Sequence, residues 1–159
     1  DIHAREIYDK PSWPSNPLFY ISCTSKTDIE TAPKDGDALF VLIPTATGLN
    51  DNDETREKYF KIIISRIEAV LGESISNNIV YKRSYAHKNF KKDFNASGGN
   101  AYGLANTLLQ SAFLKPKMRS KKVSNLYFTG QLTVPGPGMP PSIISGKIAA
   151  KLIGDNTYE

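Results

Sequence analysis

The first part of the chain predicts two strands separated by polar connections. Residues 1–17 carry three prolines among polar residues, a pattern typical of an extended segment. Residues 18–23 are rich in aromatic and β-branched side chains and predict a strand. Residues 38–43 form a continuous apolar run stopped by Pro44. Because that run contains no polar position, we expect a second strand that is buried on both faces.

One amphipathic helix is predicted between residues 54 and 71. Any of residues 51–53 can cap its N-terminus, and Gly72 stands where a left-handed residue would end it. We expect the helix to cover one face of a mixed sheet that also contains a third strand at residues 79–85. The apolar positions of the helix form one stripe: Phe60, Ile63, Ile64, Ile67, Val70 and Leu71.

The last third of the chain changes to a glycine- and proline-rich pattern. Residues 104–113 predict a short helix that Pro116 stops, and residues 125–129 predict a short strand. A Gly/Pro loop follows, and residues 142–153 predict a C-terminal helix. Strand, glycine-rich loop and helix in this order commonly present a ligand site in α/β proteins.

The loop at residues 130–142 combines close approach with rigidity. Its three glycines allow the backbone near a bulky ligand, while its four prolines restrict its conformations. Pro140 and Pro141 suit the first turn of a helix, and the amides that follow, with the helix dipole, favour an anion or a carbonyl oxygen. The same residues are equally typical of a tight turn without a ligand, and composition alone does not decide between the two.

Three segments resemble, in order, the C-terminal part of the bacterial phytoene desaturases, which are FAD-dependent carotenoid dehydrogenases of the flavin amine-oxidase superfamily. The segments are residues 16–33, 99–112 and 125–140, and the last carries Asn-Leu-Tyr-Phe-Thr-Gly followed by Pro-Gly-Pro-Gly-Met-Pro. The dinucleotide-binding Gly-x-Gly-x-x-Gly with which the family opens does not occur in this sequence. The chain therefore resembles the C-terminal third of the family.

The resemblance implies an α+β fold in two parts. Residues 1–122 would form the distal part of a substrate-binding domain, a mixed sheet with covering helices. Residues 123–159 would form a strand, loop and helix that complete an FAD-binding domain with the N-terminal remainder of the same enzyme. The activity implied is desaturation of phytoene or a related isoprenoid polyene, and the sequence names no catalytic base.

The resemblance also implies where cofactor and substrate lie. Tyr102 and Gln110 fall in the second matching segment, where they would line a substrate tunnel, although helix packing explains them nearly as well. Gln131 stands where many flavoproteins of the superfamily have an acid that binds the ribityl chain. The residues implied beside FAD are Gly130, Gln131, Gly138, Met139, Pro140 and Ser142.

Composition bears on disorder, disulfide bonds and metal sites. The 159 residues are 40% hydrophobic and 23% charged, which excludes disorder of the whole chain. Cys23 is the only cysteine, so no intrachain disulfide can form and a reducing compartment is favoured. We expect His3, His87 and Cys23 to be ordinary structural residues, with no metal site, because none has ligands at metal-binding spacing.

A basic segment raises the question of an anionic partner. It contains Lys115, Lys117, Arg119, Lys121 and Lys122 and contributes to the net charge of +4. A solvated loop is the simpler interpretation. If the segment binds a partner, we expect a membrane surface, because carotenoids reside in membranes, and a cytoplasmic protein peripheral to that membrane. We expect no nucleic acid, since no recognised binding motif accompanies the charges.

Two other functions stay open at the sequence level. One is a related superfamily member, either an isoprenoid isomerase or a desaturase of a hydroxylated carotenoid. The other is a basic binding module without catalysis, for which the basic segment and a second cluster at residues 88–92 are the support.

Overall fold

The computed structural model describes residues 2–104, 110 and 114–155. The chain divides into two compact units, Asp1–Asn100 and Ala101–Glu159. The division at residue 122, which the resemblance implies for the complete enzyme, stays a prediction. Helices accompany a small antiparallel sheet, which is compatible with the predicted α+β class.

The first unit contains three helices and two strands within its described residues. In chain order they are α1 (Ile2–Tyr8), β1 (Tyr20–Cys23), β2 (Leu39–Leu42), α2 (Asp53–Leu71) and α3 (His87–Phe94). Short 3-10 turns connect them at Thr24–Lys26, Ile29–Thr31, Ser76–Asn78 and Ser97–Gly99.

Strands β1 and β2 confirm the two strands predicted first. They pair antiparallel, with Tyr20 opposite Leu42 and Cys23 opposite Leu39. The expectation that β2 is buried on both faces is wrong, because Leu39 is 48% and Phe40 55% exposed. The sheet of the described residues has two strands, so each strand keeps one unpaired edge.

The predicted third strand is wrong. Residues 79–86 have no regular secondary structure, and the Val80 side chain is 99% exposed. Charged side chains join this segment to α2 in place of a strand ladder. Lys82 Nζ lies 2.6 Å from Glu57 Oε2 and 4.2 Å from the centre of the Phe60 ring.

Helix α1 overturns the prediction that residues 1–17 are extended. The three prolines of that segment lie beyond the helix, so they do not oppose it. His3 fixes α1 to the chain beside both strands. The amide of Leu18 donates to His3 Nδ1 at 2.9 Å, and His3 Nε2 lies 2.8 Å from the carbonyl oxygen of Pro44.

Helix α2 confirms the predicted helix and both of its ends. The side chain of Asn52 accepts a hydrogen bond from the amide of Thr55 at 2.8 Å, and Gly72 ends the helix with φ of +75°. Ile67 of the predicted stripe is buried, whereas Val70 is 87% exposed. Part of the predicted stripe is therefore open to solvent.

The buried face of α2 includes a residue outside the predicted stripe. Tyr59 is 6% exposed and its hydroxyl donates to the carbonyl oxygen of Pro14 at 2.6 Å. Its ring centre lies 5.0 Å from that of Trp13. Further along the helix, Arg66 stacks on the ring of Phe19. Helix α2 thus packs on the segment that leads into β1.

The second unit contains one long helix among its described residues. This helix, α4 (Met139–Asp155), confirms the predicted C-terminal helix and begins three residues earlier, with Pro140 and Pro141 in its first turn. The strand predicted at residues 125–129 is wrong as a regular strand, since the segment makes one isolated antiparallel bridge, between Arg119 and Tyr127. The helix predicted at residues 104–113 lies almost entirely outside the described residues.

No helix within the described ranges is long and apolar enough to cross a bilayer.

Candidate functional site

The base of the glycine–proline loop, residues 130–138, is fixed to α4 by one buried serine. Ser145 is fully buried in α4, and its hydroxyl accepts a hydrogen bond from the amide of Gly130 at 2.9 Å. The same oxygen lies 2.9 Å from the hydroxyl of Thr133 and 3.1 Å from that of Thr129. Because three partners converge on one side chain, the turn that follows Thr129 has a defined position on the helix.

A second set of bonds closes the turn on itself. The amide and the hydroxyl of Thr133 both donate to the carbonyl oxygen of Gly130, at 3.1 Å and 2.9 Å. Thr133 is 3% exposed, so these bonds are shielded from water. Thr133 and Ser145 are not among the residues predicted from the sequence. The signal for them is the presence of hydroxyl side chains at otherwise small or apolar positions, within the loop for Thr133 and in the following helix for Ser145.

The rest of the loop depends on two glycines with positive φ. Gly136 has φ of +139° and Gly138 has φ of +111°, backbone angles that L residues with a side chain rarely adopt. The peptide bond before Pro135 is cis. These conformations carry the chain from the turn at Gly130 to the first residue of α4.

The N-terminus of α4 presents fewer amides than the sequence suggests. Pro140 and Pro141 have no N–H, and the amide of Ser142 donates to the carbonyl oxygen of Gly138 at 3.0 Å. The expectation that free amides follow the two prolines is therefore wrong for Ser142. The first-turn amide that the prolines and this bond leave is that of Met139.

The predicted cofactor residues are brought together in one open stretch. Met139 is 82% exposed, and Gly138 and Pro140 are exposed as well. The other three predicted residues, Gly130, Gln131 and Ser142, are half-buried. The surface formed by the loop and the start of α4 is thus accessible within this unit.

The segment at Tyr102 lies against the same loop. A Cβ on Gly103 would lie 3.1 Å from the carbonyl oxygen of Gln131 and 3.1 Å from Leu132 Cδ2, so the two backbones are in close contact. Tyr102 precedes this contact and is 61% exposed. The residue that follows Tyr102 therefore contacts the backbone of Gln131, a predicted cofactor residue. Gln110, the second predicted substrate residue, is half-buried, and its Oε1 has no hydrogen-bond partner in the described part of the chain.

Lys115 departs most from its prediction. The sequence groups it with the basic segment as a candidate membrane contact, but it is only 6% exposed and cannot reach a membrane surface. Its side chain lies against the loop, because a Cβ on Gly136 would be 3.4 Å from Lys115 Cε. The other members of the segment, Lys117, Arg119, Lys121 and Lys122, are exposed.

The positive charge of the chain is concentrated in the unit that carries the loop. Residues 101–159 contain seven Lys or Arg and two Asp or Glu, whereas residues 1–100 contain thirteen and fourteen. The loop therefore lies in a unit with a large excess of cations, which favours an anionic ligand.

Comparison with curated proteins tests the resemblance to the carotenoid desaturases. The chain is 42% identical over 153 residues to the carotenoid 3,4-desaturase of Haloarcula japonica. It is 30% identical over 145 residues to the zeta-carotene-forming phytoene desaturase of Myxococcus xanthus, and 34% identical over 144 residues to the 4,4'-diapophytoene desaturase of Staphylococcus haemolyticus. The resemblance to the carotenoid desaturases is confirmed.

These matches cover the carotenoid desaturases only in part. They include 96%, 87% and 87% of this chain but 31%, 27% and 29% of the three relatives. The chain thus spans about a third of the length of the desaturases it resembles. No family model matches it.

The histidines of this desaturase-like chain are occupied by structural contacts. His87 is 5% exposed, and its Nε2 lies 2.7 Å from the carbonyl oxygen of Ala46. Its ring meets that of Trp13 edge-on at 5.5 Å. The described residues contain no group of three or more His, Cys, Asp or Glu side chains that could hold a metal ion. Cys23 is half-buried beside Ser25, with its sulfur 3.3 Å from the serine hydroxyl.

Proposed function

We propose that this chain is the C-terminal portion of an FAD-dependent carotenoid desaturase that dehydrogenates phytoene or a related isoprenoid polyene. The observation that carries the proposal is the match to three proteins named as carotenoid or phytoene desaturases over 87% or more of the chain. The structure supports it with an open glycine–proline loop at the start of a helix, a common setting for a bound dinucleotide cofactor.

The residues of the second unit fit an FAD site. Gly138 is exposed, has positive φ and has no side chain, so a planar ring can approach its backbone closely. Lys115 brings a buried positive charge to the same loop. We propose that Gly130, Gln131, Gly138, Met139, Pro140 and Ser142 contact the cofactor.

The positions of these residues suggest separate roles for the cofactor, the loop and Tyr102. When bound, FAD would supply the redox chemistry of the desaturation, in which a hydride and a proton leave neighbouring carbons of the polyene. The loop would fix the flavin side of the site through the bonds of Ser145. Tyr102, which directly precedes the close contact between Gly103 and Gln131, would lie at the polyene side.

The experiment that tests this proposal compares the chain with a full-length protein that contains it. The chain alone is expected to bind FAD weakly or not at all, because it has no Gly-x-Gly-x-x-Gly for the diphosphate. The full-length protein is expected to purify with bound flavin and to convert phytoene into products with a longer conjugated system, followed by absorption spectra. Full-length protein without flavin or without any carotenoid product would refute the proposal.

A second substrate is supported by one observation. The identity to the carotenoid 3,4-desaturase is 42%, against 30% and 34% for the two phytoene-type desaturases. We therefore propose a carotenoid other than phytoene as the alternative substrate, and the hydroxylated carotenoid left open by the sequence is the one to test. Supplying phytoene and a hydroxylated carotenoid separately to the full-length protein, and comparing the initial rates of product formation, distinguishes the two.

The exposed part of the basic segment is proposed to contact anionic lipid. Each Lys near such a surface contributes about 1 kcal/mol, so replacing three by Gln should weaken liposome binding on the order of a hundredfold at low salt. The triple variant contains Lys117→Gln, Lys121→Gln and Lys122→Gln, and binding is measured by co-sedimentation with anionic liposomes. Lys115 is excluded because it is buried.

A charge-matched variant separates the segment from the overall charge. Lys88, Lys91 and Lys92 are also exposed and lie in α3. Replacing these three by Gln removes the same charge and should leave binding nearly unchanged. Equal losses in the two triple variants would show that net charge, rather than the basic segment, determines binding.

A further inference from the structure

Lys115 is a buried cation whose charge has no acceptor among the described residues. The residue is 6% exposed, and its Nζ is covered without a hydrogen-bond partner in the ranges that the structure describes. Burying an unpaired ammonium is strongly unfavourable. Such a group is stabilised when an anion binds beside it, so Lys115 indicates a ligand with negative charge.

The ammonium faces the glycine–proline loop. A Cβ on Gly136 would lie 3.6 Å from Lys115 Nζ and 3.4 Å from Lys115 Cε. Gly136 is itself buried and has φ of +139°. These are ordinary contact distances, so a side chain larger than that of alanine at Gly136 would meet the end of Lys115, which lies directly beside the proposed cofactor surface.

The acidic residues of this unit lie at its C-terminal end. Residues 101–159 contain two carboxylate side chains, Asp155 and Glu159. Asp155 is the last residue of α4, roughly 24 Å along the helix from Met139 at a rise of about 1.5 Å per residue. Among the described residues of this unit, the charge of Lys115 is thus not offset by a carboxylate near the start of α4.

We propose that Lys115 supplies a fixed positive charge at the flavin site and favours the reduced, negatively charged flavin over the neutral oxidised flavin. The inference rests on the proposed function, because it takes FAD as the ligand of the loop. Uptake of two electrons and one proton adds one negative charge to the flavin ring, and a cation beside the ring favours that state. Lys115 thus acts on the redox equilibrium of the flavin through its charge. Its removal should affect the reduction of FAD more than the binding of FAD.

The test is a redox titration of the full-length, FAD-loaded protein with dithionite as the electron donor and a reference dye. In Lys115→Met, the ratio of reduced to oxidised flavin at a given potential should fall about tenfold to a hundredfold, the size of effect expected for a lost charged hydrogen bond. This corresponds to a midpoint potential lowered by about 30–60 mV for a two-electron couple. Lys115→Arg keeps the charge and should stay close to the wild-type potential.

Lys151→Met is the matched control, since Lys151 lies in the same unit, is exposed, and follows Met139 by twelve residues along α4. It should leave the potential unchanged. Should Lys115→Met yield no folded protein, Lys115→Gln, with the same expected shift, takes its place. Flavin-loaded Lys115→Met at the wild-type potential, or a shift in Lys151→Met equal to that in Lys115→Met, overturns the role of Lys115 but not the proposed function. A wild-type protein that binds no flavin overturns the proposed function and this inference together.

Discussion

Replacing Gly138 with valine in the full-length protein is expected to remove most of the bound flavin. Gly138 is exposed, has φ of +111° and directly precedes α4. A valine side chain would stand at the surface where we propose that the flavin ring lies, and its Cβ would be 3.4 Å from Pro141 Cδ. The measurement is the ratio of flavin to protein absorbance in the folded fraction, together with the desaturation rate.

Backbone strain alone must be separated from the loss of a cofactor contact. A β-branched residue at positive φ costs on the order of 1–3 kcal/mol wherever it occurs. Gly72 provides the control, because it has φ of +75° and ends α2 in the other unit, where a Cβ on this residue would have nothing within 4 Å. Gly72→Val should therefore lose stability without losing flavin.

The flavin content of the two valine variants distinguishes a cofactor contact from a tight turn. If the loop contacts the flavin, Gly138→Val is flavin-poor and Gly72→Val is fully loaded at equal folded fraction. If the loop is only a tight turn, both variants are destabilised and both remain loaded. Fully loaded and fully active Gly138→Val protein would show that the flavin does not lie against Gly138.

The elements predicted correctly are those encoded by local sequence. Helix α2 has apolar positions at helical spacing, an asparagine cap and a terminal glycine, and each signal acts within a few residues of the element it defines. The two strands have short apolar runs bounded by polar residues. The C-terminal helix follows two prolines that its first turn tolerates.

The elements predicted wrongly depend on contacts between distant residues. Residues 79–85 have the composition of a strand, but in the described part of the chain they pair with no neighbouring strand, and Lys82 instead contacts Glu57 and Phe60 of α2. Helix α1 is fixed by His3, whose partners are 15 and 41 residues away. Composition within a window contains no information about such partners.

The candidate site shows the same division between local and distant signals. The glycines and prolines of the loop, and its resemblance to the desaturases, are visible in the sequence. The burial of Lys115 is not, because five basic residues in one segment look alike until the fold places one of them against Gly136. Likewise, the role of Ser145 depends on its distance to Gly130 and Thr133, which are 15 and 12 residues away.

The first unit should lose about 3–5 kcal/mol of unfolding free energy when Asp51 is replaced with alanine, the cost typical of breaking a buried ion pair. Asp51 is 2% exposed and accepts two hydrogen bonds from Arg56, at 2.6 Å and 2.7 Å, and one from the amide of Lys88 at 2.9 Å. The carboxylate therefore joins α2 to the N-terminus of α3. Its removal leaves the Arg56 guanidinium without this carboxylate. Unfolding by denaturant measures the resulting loss of unfolding free energy.

An ion pair of the same length provides the control. Lys82 and Glu57 lie 2.6 Å apart, as do Arg56 and Asp51, but the Glu57 side chain is 44% exposed and the Asp51 side chain 1%. Exposed pairs contribute about 0–1 kcal/mol, so Glu57→Ala should be nearly neutral. Equal losses in the two variants would show that burial of the Asp51 pair does not determine its contribution.

The dependence on pH gives an independent check of the same carboxylate. The hydrogen bond from Arg56 holds the pKa of Asp51 below its ordinary value of 3.8. A lowered pKa in the folded protein means that the ionised carboxylate contributes its full stability above the ordinary value. That contribution is then lost as the pH falls through the lower folded pKa.

The wild-type protein should therefore lose its advantage over Asp51→Ala progressively below about pH 4. Glu68 also titrates in acid, since hydrogen bonds from Ser76 lower its pKa to about 2. Glu68 is present in both proteins, so its effect cancels when the two unfolding free energies are subtracted at each pH. If the difference in unfolding free energy stays constant from neutral pH down to the lowest pH at which both proteins fold, Asp51 is not an ionised, paired group that joins α2 to α3.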